Sequence, residues 1–141
     1  MGKALAFFYE DTSFKLTSRK KIRKWIEQVI HEEGYALNHI NYVFCSDAYL
    51  LDINTTHLQH DFYTDIVTFD QSSDDKEIEA DIYISVDRVA NNANDRHIPF
   101  DKELARVMIH GVLHLLGYND KTEEEKKQMR EKEDSCISLH E

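Results

Sequence analysis

Residues 110–120, HGVLHLLGYND, place two histidines in a segment that is otherwise almost wholly apolar. They continue the stretch DKELARVMI (101–109) with no turn-forming residue between the two. Apolar residues cover most of the circumference of this segment, which is typical of a buried helix. We predict that the helix is capped by Asp101 and ends at Gly117. Its apolar residues are Leu104, Val107, Met108, Ile109, Val112, Leu113, Leu115 and Leu116.

The two histidines, His110 and His114, are four residues apart, so on a helix their side chains lie on the same face. They can therefore converge on one metal ion, as in helix-borne zinc sites. The same spacing also arises by chance in protein cores, where histidines bond to neighbouring groups. Both interpretations require partners for the two imidazoles, because burying a polar group without one costs free energy.

Asp120 is the candidate for a third ligand. It follows His114 by six residues and lies beyond the helix-breaking Gly117, so the chain has room to turn back. A carboxylate is a hard, anionic ligand that suits a divalent ion. Three protein ligands with one open position are typical of a catalytic zinc site, whereas a structural site has four. Spacing and burial alone leave the metal site and the structural pair about equally supported.

Position 111 separates this segment from the common metalloprotease pattern. In H-E-x-x-H, the glutamate after the first histidine is the general base. Gly111 stands at that position here. The sequence therefore argues against a peptidase of this kind.

The composition indicates one soluble domain over residues 1–141. The chain is long enough to bury its own core, and its 41% hydrophobic and 31% charged residues are ordinary for a globular protein. Its two cysteines, Cys45 and Cys136, have no paired spacing, which favours a reduced compartment. The apolar N-terminal stretch is too short for the hydrophobic region of a signal peptide or for a membrane span, so we expect neither. We predict a cytoplasmic protein without a membrane partner.

The net charge of −10 is unfavourable for binding nucleic acid, which requires Lys and Arg contacts to phosphate. A positive metal ion or a local basic surface would be needed. The densest basic cluster consists of Arg19, Lys20, Lys21, Arg23 and Lys24. A charge run of this kind is more typical of a solvated helix face than of a phosphate-binding patch.

Periodicity predicts nine elements in the order β, α, β, α, β, β, α, α, α. This order indicates an α/β or α+β fold in which about five helices pack on a mixed sheet of about four strands. Thr17 or Ser18 is the predicted cap of the first helix, and Asp47 that of the second. The predicted elements are residues 4–9, 17–34, 39–46, 47–58, 64–70, 79–87, 86–96, 101–117 and 122–139.

The stretch HGVLHLLGYND resembles the signature H-G-x-L-H-L-x-G-Y-D-H of the YbeY family of rRNA maturation endoribonucleases. Two further stretches are similar to the family's pattern: TDIVTF (64–69) to its T-D-V-L-S-F, and ADIYIS (80–85) to its G-D-I-x-I-x strand. The charged last helix follows the family's spacing with Glu125, Met129 and Glu133. The signature matches at His110, Gly111, Leu113, His114, Leu115, Gly117 and Tyr118.

The resemblance implies a metal-dependent, single-strand-specific endoribonuclease that acts in rRNA maturation, notably at the 3′ end of 16S rRNA, and in ribosome quality control. It implies one zinc ion per chain, another divalent metal being possible, held by His110, His114 and Asp120. Expected partners are ribosomal RNA and the small ribosomal subunit or its proteins. The resemblance identifies no general base or nucleophile. Tyr118 is expected to pack against the site, and Asp65 and Asp81 to serve as structural or second-shell groups.

The sequence departs from the family's pattern at two places. The family's third ligand is a histidine, and the matching position here is Asp120, preceded by Asn119. The extra negative charge would weaken the metal as a Lewis acid and widen the choice of metal towards manganese. The family also carries a phosphate-binding arginine where this chain has Leu58. The candidates to replace that arginine are His57, His60, Arg96 and His97.

Two alternative functions remain open at this point. A zinc metallopeptidase-like hydrolase would need an acidic base, which position 111 does not supply. A non-catalytic ribosome-assembly factor with a structural metal site is compatible with both departures from the family's pattern.

Overall fold

The computed structural model of the chain describes residues 4–58, 63–73 and 76–140. The predicted order of strands and helices is confirmed, and the fold is α+β with a mixed sheet. The strands are β1 (Leu5–Glu10), β2 (Ala36–Cys45), β3 (Ile66–Asp70) and β4 (Glu77–Ser85). The helices are α1 (Arg19–Glu32), α2 (Asp47–Leu58), α3 (Val86–Arg96), α4 (Phe100–Leu115) and α5 (Glu123–His140).

The sheet has the strand order β1-β2-β4-β3. β1, β2 and β4 run parallel, and β3 pairs antiparallel with β4 at the edge. Because side chains alternate between the two faces of a strand, Tyr42 and Phe44 of β2 and their partners Ile82 and Ile84 of β4 point to the same face. All four side chains are fully buried there.

The main core lies between this face of the sheet and helices α1, α4 and α5. A smaller cluster on the opposite face contains Cys45, Leu50 and Val67, and it is covered by α2. Helix α4 is tied to the sheet by the buried hydroxyl of Tyr42, which donates a hydrogen bond to the carbonyl oxygen of Met108 at 2.9 Å. This contact with the sheet therefore helps to fix the position of the helix that carries both histidines.

Two of the predicted helix caps, Asp101 and Asp47, were wrong. Helix α4 begins at Phe100 after an extended Pro99, whose carbonyl accepts the first helical hydrogen bonds, so Asp101 lies within the first turn. Asp47 is likewise the first residue of α2, because the hydroxyl of Ser46 accepts the hydrogen bond from the Tyr49 N–H at 3.0 Å. Ser18, one of the two residues predicted to cap α1, does occupy the N-cap position, but its backbone is left-handed (φ 56°) and its side chain makes no capping hydrogen bond.

Among the residues that the structure describes, no helix combines the length and the apolar character needed to cross a membrane.

Candidate metal centre

Three side chains come together beside the carboxyl-terminal half of α4. The Nε2 atoms of His110 and His114 are 3.0 Å apart. The Oδ2 atom of Asp120 lies 3.4 Å from each of these nitrogens. The structure thus brings together all three residues that were predicted as ligands, and within the described ranges they form the one cluster with the geometry of a metal site.

The triangle formed by these atoms fits a tetrahedral ion. Zinc bonds to histidine and carboxylate ligands are about 2.0–2.2 Å long, so a tetrahedral ion separates its ligand atoms by about 3.3–3.6 Å. The observed separations of 3.0, 3.4 and 3.4 Å are close to this range. Two imidazole nitrogens and a carboxylate oxygen, all electron-pair donors, face one point, which is an arrangement that a divalent cation stabilises.

His110 is oriented by a carboxylate of the neighbouring helix. Its Nδ1 lies 2.6 Å from Oε2 of Glu133 on α5, so Nδ1–H donates to Glu133 and the Nε2 lone pair points at the candidate site. Burial lowers the pKa of His110, but the hydrogen bond to Glu133 and the charge of that carboxylate outweigh burial and hold it above its ordinary value. Glu133 thereby selects the tautomer that a metal ligand requires.

Glu133 is itself held on its other side by Arg106. Nη1 of Arg106 donates to Oε1 of Glu133 at 2.8 Å, and Nη2 donates to Asp134 at 2.6 Å. Burial raises the pKa of Glu133, but the hydrogen bonds from His110 and Arg106 keep it below its ordinary value. The carboxylate therefore stays ionised although its side chain is only 8% exposed.

The turn after α4 returns Asp120 to the two histidines. Gly117 makes this turn with φ of +100°, a backbone conformation that other residues rarely adopt. The hydroxyl of Tyr118 donates to Glu33 at 2.6 Å and so fixes the turn against the end of α1. Beyond Asp120, Thr122 and Glu125 exchange hydrogen bonds of 2.9 and 3.0 Å, which is a capping box that starts α5.

Gly111 faces the sheet and not the candidate site. A Cβ atom at this position would lie 2.8 Å from Cδ1 of Ile66 and 3.4 Å from both Cδ1 of Ile82 and Oγ1 of Thr68. A glutamate at this position would enter the apolar contact between α4 and the sheet. The absence of the metalloprotease general base thus has a packing reason.

The candidate ligands are less buried than the sequence predicted. The side chains of His110, His114 and Asp120 are 24%, 34% and 39% exposed. The apolar residues of α4 turn towards the sheet and the other helices, and the two histidines lie at the edge of that contact. Because the three side chains are partly exposed, a substrate could reach them from solvent.

Comparison with known proteins identifies the family of the chain. The model of the family described as "Endoribonuclease YbeY" matches residues 7–140. The chain belongs to the YbeY family.

Curated relatives agree with this assignment. A protein of Cytophaga hutchinsonii named endoribonuclease YbeY is 51% identical over 133 residues, which cover 94% of this chain and 93% of the relative. A protein of Flavobacterium psychrophilum with the same name is 47% identical over 135 residues, which cover 96% of this chain and 95% of the relative. A solution structure of a protein from Thermotoga maritima superimposes with a TM-score of 0.65 at 25% identity, covering 95% of this chain and 88% of that one.

The candidates to replace the arginine of the YbeY family lie in different parts of the fold. Leu58 ends α2, and the ring of His57 packs edge-on against Phe69 on the sheet face opposite α4. His97 ends α3 in a left-handed conformation. His60 lies outside the described residues. Of the described candidates, Arg96 alone lines a cavity that also contains His110.

Two further predicted groups have mainly structural contacts. Asp81 accepts a hydrogen bond from Asn41 at 3.0 Å, and Asp65 accepts one from Asn92 at 3.4 Å. The basic cluster lies in the first turns of α1, whereas the metal centre contacts this helix through Glu33 at its other end. A helix of this length separates its ends by about 20 Å. The cluster is therefore remote from the centre.

Glu133 was expected only as part of the spacing of the last helix, without a role at the site, and Arg106 was not predicted. The signal for Glu133 was its position four residues after Met129 and three before Cys136, because both neighbours are buried on the same face of α5. Arg106 had a weaker signal: it lies four residues before His110 on α4.

Proposed function

We propose that the chain is a metal-dependent endoribonuclease that cleaves single-stranded RNA and acts in rRNA maturation. His110, His114 and Asp120 would hold one zinc ion, leaving one open coordination position. The observation that carries this proposal is the triangle of 3.0, 3.4 and 3.4 Å between their ligand atoms in a chain of the YbeY family. Curated members of that family are named endoribonucleases.

A zinc ion held there would supply Lewis acidity, which stabilises charge on a phosphodiester oxygen and lowers the pKa of a water molecule. The protein's own contribution is orientation. Glu133 holds the Nδ1 proton of His110, Arg106 holds Glu133, and Tyr118 holds the turn that carries Asp120. With Asp120 in place of the family's histidine, the ligand set carries one more negative charge, and manganese becomes a better alternative to zinc.

The proposed partners are ribosomal RNA and the small ribosomal subunit or its proteins. A net charge of −10 is unfavourable for binding RNA, so a positive metal ion, a local basic surface or a basic partner has to supply the attraction. We further propose that residues 1–141 act as a single domain in the cytoplasm.

Cleavage of a labelled single-stranded oligoribonucleotide by the purified protein tests this proposal. We expect cleavage with zinc or manganese, its loss with a chelator, and no cleavage of a duplex of the same sequence. His114→Ala should abolish cleavage. The matched control His31→Ala removes an exposed histidine of α1 and should leave cleavage unchanged. Equal cleavage by wild type and His114→Ala would contradict the proposal.

A non-catalytic ribosome-assembly factor is the second candidate. The observation in its favour is Leu58, an exposed apolar residue where the family carries an arginine. This function predicts binding of rRNA particles without RNA cleavage, both by wild type and by His114→Ala.

A further inference from the structure

A small cavity of about 170 Å³ lies beside the candidate metal centre. It is lined by the end of α3, by α4 and α5 and by the start of β3, and His110 and Glu133 form part of its wall. Three arginines line the same cavity: Arg96, Arg106 and Arg130. A concentration of guanidinium groups next to the metal centre is unexpected in a chain with so strong a negative charge.

Two of the three arginines are engaged by acidic residues. Arg106 donates to Glu133 and Asp134. Arg96 binds Glu103, whose side chain is only 1% exposed, through its Nη1 atom at 2.7 and 2.8 Å. Both contacts of Arg96 use the same nitrogen, which leaves the Nε and Nη2 donors of its guanidinium available to a ligand.

Arg130 is the third arginine, and it has a different environment. It is exposed on α5, and no carboxylate of the described residues forms an ion pair with it. The remaining acidic group of the cavity wall, Asp65, accepts a hydrogen bond from Asn92. Arg130 therefore keeps its whole guanidinium for an anion that enters the cavity.

We propose that this cavity binds a backbone phosphate of the RNA strand, next to the phosphate at the metal centre. Arg130 is the principal donor, and the free donors of Arg96 assist it. Arginine suits this role because its planar fork matches two phosphate oxygens at once. The site supplies, from the α5 side, the phosphate contact that Leu58 does not provide. This inference rests on the proposed function, since it assigns RNA as the ligand.

Binding of a labelled single-stranded oligoribonucleotide, measured by fluorescence anisotropy at several salt concentrations, tests the inference. The variant Arg130→Gln should weaken binding about tenfold, as the loss of hydrogen bonds to a charged group typically does. The salt dependence of log K should become shallower by about 0.7, the value of one phosphate contact to a single strand. Arg130→Lys, which keeps the charge but loses the fork, should lie between wild type and Arg130→Gln.

The matched control is Lys127→Gln, which removes one positive charge from an exposed position of the same helix but outside the cavity wall. It should bind RNA within about twofold of wild type, because surface charges away from a contact contribute little. Equal affinities and salt slopes for Arg130→Gln and Lys127→Gln would overturn the inference. Zinc content should be the same in all variants.

The two proposals fail in different ways. Binding without cleavage by wild type overturns the enzymatic function and still tests the arginine site through the variants. Cleavage by wild type together with an unaffected Arg130→Gln overturns the arginine site alone. Absence of any RNA binding overturns both.

Discussion

Helices α4 and α5 pack against each other at the candidate metal centre, but they place their polar groups there in opposite ways. Helix α4 is mostly apolar, and its two histidines lie at its partly exposed edge. Helix α5 is mostly charged, and Glu133 is among its buried residues. The groups that would contact the metal are thus accessible, and Glu133, which orients His110, is protected from water.

This difference has an energetic basis. An ionised carboxylate is costly to bury unless it is paired and hydrogen-bonded on its free sides. Glu133 meets this condition, because His110 and Arg106 bind its two oxygens at 2.6 and 2.8 Å. Because both of its oxygens are bound, the buried carboxylate of Glu133 holds the imidazole of His110 in one orientation. Helix α5 thus supplies the carboxylate that orients His110, whereas α4 and the turn after it supply the candidate ligands.

The most direct way to break this division of roles is Glu133→Gln. The amide keeps the size of the side chain but removes the charge that selects the His110 tautomer, so we expect zinc affinity to fall about 10- to 100-fold. Competition with a chromogenic chelator measures this change. Glu131→Gln, an exposed position of the same helix, is the control and should leave affinity unchanged. If both variants bound zinc like wild type, Glu133 would have only a structural role.

A substitution on the face of α4 that packs against the sheet should have a smaller effect, on the stability of the fold. Gly111→Ala gains helix propensity of up to about 1 kcal/mol. It also requires the end of the Ile66 side chain to move away from a contact of 2.8 Å, which offsets that gain. We therefore expect the free energy of unfolding to change by no more than about 1 kcal/mol. Urea denaturation measures it, and a loss above about 3 kcal/mol would mean that Ile66 cannot yield.

The same contrast explains how much of the site the sequence could reveal. Two histidines at helical spacing are conspicuous in an apolar segment, and the break at Gly117 indicates where a third ligand returns. Glu133 is surrounded by other charges in EEEKKQMREKED (123–134), and the only indication of its burial is the helical spacing of Met129 and Cys136 around it. Its role depends on a contact with His110, 23 residues away, that only the packing of α5 on α4 creates.

The fold was largely predictable because its elements are marked by local patterns in the sequence. Strand and helix order follow from local periodicity, and the α+β class was confirmed on that basis. The helix caps were less predictable, because Asp101 and Asp47 are good capping residues whose neighbours Pro99 and Ser46 occupy the capping positions instead. The cavity beside the candidate metal centre could not be predicted, since the arginines that line it, Arg96, Arg106 and Arg130, come from three different helices.

Metal content of the purified protein tests the central claim most directly. Elemental analysis after incubation with zinc should find about one ion per chain in wild type. It should find little or none in Asp120→Ala, and a full complement in Asp120→His, which restores the family's ligand. Asn119→Ala, the neighbouring control, should keep its metal. Absence of zinc from wild type, or equal zinc in wild type and Asp120→Ala, would contradict the three-ligand site.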